Sequence, residues 1–333
     1  MYKYIIVLFF TIMIYSCGGS DPKLNDDNTT DMLPGKLIRF DKELFAIDPD
    51  SISTQIEPLA QKYGAFFKLY CAGILGIAHP SDSVFIEQFH AFYANSVVKE
   101  AHEKVASSFA DVSAINKDLE DGFNRYAELF SDKPIPRIYS YVSGFNQALM
   151  LMDDAIGVSL DMFLGQDNAI YAELGFPKYM QKNLYRERIP INIFTTWAYG
   201  EFYQDKMGET LLATMIHEGK LMYFGKTLLP KTADTTLFGF RAEELQWCLD
   251  NEKYMWMTLV ENKLLFDTSY ATVKRMTEDG PFTPNIDGSP GKAPSWVGYR
   301  IVERYMKRNN ATLPELMADR DYRKILEVSA YNP

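Results

Sequence analysis

The stretch MGETLLATMIHEGKLMYF, residues 207–224, followed by Gly225, is the segment on which the reading of this chain turns. Laid out at 100° per residue, Leu211, Leu212, Met215, Ile216, Gly219, Met222 and Tyr223 fall within one arc of about 140°. Thr210, Ala213, Thr214, His217, Leu221 and Phe224 lie on the other side. The spacing therefore predicts a helix covered on both sides, with Gly225 as its C-terminal cap.

A buried helix that carries a His-Glu pair and follows a strand is how zinc metallopeptidases of the zincin type begin their site, as HExxH. Histidines at i and i+4 point the same way and hold one metal, and the intervening Glu serves as general base. Here His217 and Glu218 are present, but Leu221 occupies the second histidine position. A leucine has no lone pair to donate, and a catalytic zinc needs about three protein ligands. Glu243 and Glu244 stand where a glutamate ligand would follow, and His79, His90 and His102 are far upstream. Two readings result. In the preferred one, His217 and Glu218 are a structural pair satisfied by hydrogen bonds in a former cleft; in the alternative, the chain is a metal-dependent hydrolase or peptidase with an incomplete site.

Upstream, residues 137–141 (RIYSY) and 189–197 (IPINIFTTW) read as strands, β-branched and aromatic beside a proline. Residues 53–63, 83–93, 98–109 and 115–130 repeat apolar side chains at helical spacing. Downstream, residues 280–294 pack three Gly and four Pro into fifteen positions, which dictates an irregular loop and a candidate cleft rim. A helix over 296–308 follows it. These elements predict an α+β fold, predominantly α-helical with one small sheet, in a degenerate zincin-like architecture, as a single α-rich domain over 33–333. Asp153, Asp154 and Asp161 could be paired carboxylates or an Asp-rich turn. Trp197, Trp247, Trp256 and Trp296 could form a sugar platform, although core packing is the simpler reading.

The N-terminus speaks of location. After Lys3, the run YIIVLFFTIMIY holds twelve residues without charge, Gly or Pro. As a helix it reaches about 18 Å, short of a hydrocarbon core of about 30 Å, so it reads as a signal peptide over residues 1–16. It ends at Ile14-Tyr15-Ser16-Cys17-Gly18, which resembles a lipobox and predicts cleavage before Cys17 and acylation of that cysteine. Several acyl chains on one residue give stable anchoring. Residues 17–32 are polar and read as a flexible tether. The net charge is -10, an acidic balance unsuited to nucleic acid. Of the other cysteines, Cys71 and Cys248 sit in apolar contexts and are expected as buried free thiols. No cofactor is expected beyond the lipid on Cys17.

The segments FDKELF (40–45), SGFN (143–146), IGVSLDMFLG (156–165) followed by Tyr171, MIHEGKLMYF (215–224), WVGYRIVERYM (296–306), LPELM (313–317) and the closing YNP resemble, in order and spacing, the gliding motility-associated lipoprotein GldB of Bacteroidetes. The resemblance implies an envelope lipoprotein, on the outer membrane and facing the periplasm, that supports gliding and the associated type IX secretion machinery by binding other envelope proteins. It transfers Cys17 as the lipid site. By analogy it also makes His217, Glu218, Tyr299 and Arg300 the cleft residues to inspect.

Overall fold

The computed structural model describes residues 34–203 and 210–333. The signal peptide, Cys17 and tether expected over 1–32, and residues 207–209 of the expected long helix, lie outside the described residues. The chain forms two compact units, one running up to Glu120 and including Pro134–Leu164, the other comprising Asp121–Lys133 and Gly165–Pro333.

The first unit holds the sheet. Its strands are β1 (Leu37–Ile38), β2 (Arg137–Tyr141), β3 (Leu149–Leu151) and β4 (Ala155–Ser159), in the order β1-β2-β4-β3. β1 and β4 both run parallel to β2, with Leu37 and Ala155 opposite Ile138 and Arg137, and β3 returns antiparallel to β4. Every residue of β4 is buried, as expected for a central strand. Asp153 and Asp154 are exposed at the β3–β4 turn, closed by Met152 N–H donating to the Ala155 carbonyl at 2.9 Å. That is the turn reading; Asp161 lies elsewhere. Helices α1 (Phe40–Phe45), α2 (Ile52–Leu69), α3 (Phe85–Ala94), α4 (Ser96–Ser108) and the start of α5 (Ser113–Leu129) complete the unit. The periodic segments read from sequence fall within α2 to α5, give or take two residues. The core is aromatic. Phe40 meets the edges of Tyr63 at 4.8 Å, Phe66 at 5.1 Å and Tyr70 at 5.1 Å, an arrangement favoured by the ring quadrupoles.

The regular elements of the second unit, among its described residues, are helices: the last turns of α5, then α6 (Ala169–Glu173), α7 (Lys178–Gln181), α8 (Arg188–Glu201), α9 (Leu211–Leu228), α10 (Asp234–Phe238), α11 (Ala242–Asp250), α12 (Glu252–Glu261), α13 (Tyr270–Thr277), α14 (Ala293–Asn309), α15 (Leu313–Ala318) and α16 (Tyr322–Ser329). The molecule is thus mostly helical with one small sheet, as the sequence implies.

Two expectations are corrected. Residues 189–197 are not a strand but the body of α8. Pro190 sits in its first turn, where no backbone N–H is needed, so the proline marks a helix start rather than a sheet edge. The order of strand then His-Glu helix on which a zincin-like architecture depends is therefore missing, and the sheet belongs to the other unit. Nor does α9 stop at Gly225; it continues to Leu228. A Cβ at Gly225 would stand 2.5 Å from Ile191 Cδ1 of α8, so this glycine sits in the α8–α9 contact rather than at a cap.

The Gly/Pro-rich segment is an ordered loop with a narrow neck. Asp279 and Lys292 pair across it at 2.8 Å, and a Cβ on Gly291 would meet the Gly280 carbonyl oxygen at 2.3 Å. Inside, Thr283 Oγ1 donates to the Pro290 carbonyl at 2.6 Å and accepts from Ala293 N–H at 3.1 Å, while Ser289 Oγ donates to Ile286 at 2.7 Å. These are the traits of an Ω-loop packed by its own side chains.

Candidate functional site

The helix that opened the sequence reading proves to be the hub of the second unit. Thr210 caps α9, its side chain accepting from Ala213 N–H at 3.2 Å. From Leu211 to Ile216 every residue is buried, and so are His217, Gly219, Lys220 and Leu221. Burial on all sides follows from its neighbours: α8 packs on one face, α14 on another, and α13, α15 and α16 also touch it.

Two of the family-like motifs meet where α9 crosses α14. A Cβ on Gly219 would lie 2.4 Å from the Gly298 carbonyl carbon, and one on Gly298 would lie 1.8 Å from the Met215 carbonyl oxygen. The obstructing atoms are backbone, which cannot rotate away, so the crossing demands a glycine on each helix. A third motif is tied in by Lys220. Its ammonium donates to the carbonyls of Asp319 at 2.8 Å and Met317 at 3.2 Å, at the C-terminal end of α15, where a cation suits the helix dipole. Burial pushes its pKa down to about 8, against the opposing pull of Asp319.

His217 is buried, and its ring stands 6.1 Å from Tyr199 of α8 in an edge-on contact. Glu218, next to it, is half-buried. Leu221, at the second histidine position, is 5% exposed and part of the core. Tyr299 follows the α14 crossing and packs on Phe238 at 4.9 Å, and burial holds its hydroxyl well above the usual range. Arg300 points into a different network: it donates to Glu252 at 3.1 Å and Glu303 at 2.7 Å and lies 5.6 Å from the Trp296 ring. Burial works against its charge, but Glu252 and Glu303 raise its pKa above the ordinary value. Tyr331 of the closing YNP donates to the same Glu252 oxygen at 2.9 Å, so the chain terminus is part of this cluster.

Neither proposed glutamate ligand joins His217. Glu243 is exposed, and Glu244 accepts from Lys182 Nζ at 2.6 Å and from Arg241 N–H at 2.7 Å. Among the described residues no group of three or more His, Cys, Asp and Glu could hold a metal. Cys71 and Cys248 are free and buried, as expected. Trp197 and Trp296 are buried, and Trp247 and Trp256 are half-buried.

The first unit has a polar centre that joins SGFN to Asp161, apart from Asp153 and Asp154. The SGFN turn places Gly144 at φ 70 and Phe145 at φ 63, two consecutive left-handed residues. The turn aims the N–H groups of Ser143 and Phe145 at one anion. The anion is Asp161, from IGVSLD: it accepts from Phe145 N–H at 2.6 Å, Ser143 N–H at 3.2 Å and the Ser159 hydroxyl. Burial pushes its carboxyl above the ordinary range, against the pull of Ser159, Phe145 and Ser143. The turn also braces the π-helical segment Tyr70–Leu75, where Tyr70 OH donates to the Val142 carbonyl at 2.8 Å and Asn146 Nδ2 to that of Ile74 at 2.9 Å. The signal available in sequence was the pairing of SGFN with a downstream Ser-x-Asp, which only the fold brings together.

Most of these motifs thus take part in interactions inside one unit. A family model described as gliding motility protein GldB matches residues 21–333. No curated protein and no solved structure matches the chain. With nearly its whole length covered by that match, the chain belongs to the GldB family of gliding motility lipoproteins.

Proposed function

We propose that this envelope lipoprotein supports gliding, and the type IX secretion machinery linked to it, by binding other envelope proteins rather than by catalysis. Acyl chains on Cys17 hold it on the outer membrane, facing the periplasm. The observation that carries the non-catalytic reading is the engagement of the α9 motif in packing: Leu221 in the core, Gly219 against Gly298, and Lys220 on the end of α15. The lipid route agrees with the finding that no described helix is long and apolar enough to cross a membrane.

In-cell crosslinking from the exposed helices, followed by mass spectrometry, tests the binding role. Motility or secretion components should be captured, and a chain that captures none while normally expressed would count heavily against it. Chemistry is tested separately with Glu218→Gln, which removes a general base while keeping the side-chain shape. Motility at the level of the unaltered chain is expected. Lost gliding with an unchanged melting curve, together with stoichiometric zinc by elemental analysis, would favour the metal-dependent hydrolase instead.

A further inference from the structure

Helix α12 is apolar on two faces. Met255, Thr258 and Leu259 face the core of the second unit, as an amphipathic helix requires. The opposite face should then be polar. Instead Tyr254, Met257 and Val260 are 43%, 44% and 46% exposed, and Leu249 and Phe266, just before and after the helix, are 48% and 56% exposed. Contiguous exposed apolar side chains rimmed by charge are the mark of an interaction surface.

The order of residues on this face identifies its occupant. At 1.5 Å per residue, Tyr254 and Val260 lie about 4.5 Å on either side of Met257, and Lys253 and Glu261 about 6 Å on either side. At 100° per residue, all four fall within about 60° of Met257, so the five form one stripe. Lys253 and Glu261 are exposed, and neither forms an ion pair with any described residue. The stripe has opposite charges at its two ends and an apolar centre. Laid against itself in parallel, it would set Lys253 beside Lys253. Laid antiparallel, it brings Lys253 level with Glu261 at both ends, Tyr254 level with Val260, and Met257 level with itself. That self-complementarity is what an isologous two-fold contact requires.

We propose that α12 is the surface through which this protein pairs with a second copy of itself, antiparallel about a two-fold axis passing at Met257. The contact is charge-matched at its rim and apolar at its centre, the anatomy of a protein interface. Its closed symmetry yields dimers and not chains.

The test uses the full-length chain in excess mild detergent, in sedimentation velocity across a concentration series. A reversible monomer–dimer equilibrium is expected, and Met257→Asp should abolish it. Lys253→Glu creates two like-charge pairs per dimer and should weaken association about tenfold, as should Glu261→Lys. The double variant restores both pairs with their signs exchanged and should recover the original association. Position is read by a short bis-maleimide. Met257→Cys should crosslink to its own kind, Tyr254→Cys and Val260→Cys should crosslink as a mixture, and the buried Cys71 and Cys248 supply the unreactive background. All these substitutions are at exposed positions, and unchanged melting curves would verify folding. A strict monomer, a dimer indifferent to Met257→Asp, or a double charge exchange without recovery would each overturn the proposal. So would capture of a different protein, or of lipid vesicles, by α12 in place of a second copy.

Discussion

Single atoms decide more here than side-chain chemistry does. At Gly298 a methyl group would be placed 1.8 Å from the Met215 carbonyl oxygen, and the helices would have to part to admit it. Gly298→Ala should therefore destabilise the protein by at least about 2–3 kcal/mol, measured by urea unfolding. An unchanged midpoint would mean that the crossing is loose. Lys220 makes a pH-dependent prediction. Its folded pKa is about 8 against an ordinary 10.5, so between these values the unfolded state holds more protons. Stability from this group must then rise with pH across that window, by about 1–2 kcal/mol between pH 8 and 9.5. The buried tyrosines, whose pKa values are raised, act in the opposite sense above pH 10. The difference between the unaltered chain and Lys220→Met, followed at pH 7.5, 8.5 and 9.5, isolates the effect; a flat difference would show that the amine keeps its ordinary affinity for protons. None of this was legible beforehand. The sequence displays His217 and Leu221, but the role of Lys220 depends on a carbonyl 99 residues away.

Among the elements, legibility tracked whether local pattern and tertiary demand agree. Helices α2 to α5 and α14 announce themselves because one apolar stripe meets one core. Helix α8 misleads because none of its residues is exposed, which blurs the 3.6-residue period and leaves the β-branched content as the stronger signal. Helix α9 is legible as a helix covered on both sides, but its end is not, because a glycine in the α8–α9 contact looks like a cap. The SGFN turn is the element that sequence hides most completely. Its left-handed Phe145 is costly for a residue with a side chain, and the Asp161 carboxylate holds it there. Asp161→Ala should leave the N–H groups of Ser143 and Phe145 buried without an acceptor and cost about 2–4 kcal/mol. Hydrogen exchange should then quicken at Phe145 and in the π-helical Tyr70–Leu75. Continued protection there would show that the turn stands on its own.

For the whole molecule, the division into two units leaves little trace in composition. The chain crosses between them three times, inside α5 between Glu120 and Asp121, at Lys133–Pro134 and at Leu164–Gly165, and only the second crossing carries prolines, Pro134 and Pro136. Attachment is testable at this scale. If Cys17 carries the lipid, Cys17→Ala should move the protein from the membrane to the soluble fraction. Retention on the membrane would assign anchoring to something else. The family-like motifs were legible as a set, and through them the link to gliding, whereas the reason each residue stands where it does was not.

The necked loop over 280–291 carries a practical corollary. A protease must draw a substrate out into an extended strand before cutting it, and a segment this rich in Gly and Pro would ordinarily be the first to yield. Here the ion pair and the two apposed glycines at its base keep it coiled, with Thr283 and Ser289 lacing it from within. Brief digestion should spare this most loop-like stretch of the chain, so a nick appearing there would be an early sign that the fold around it has begun to open.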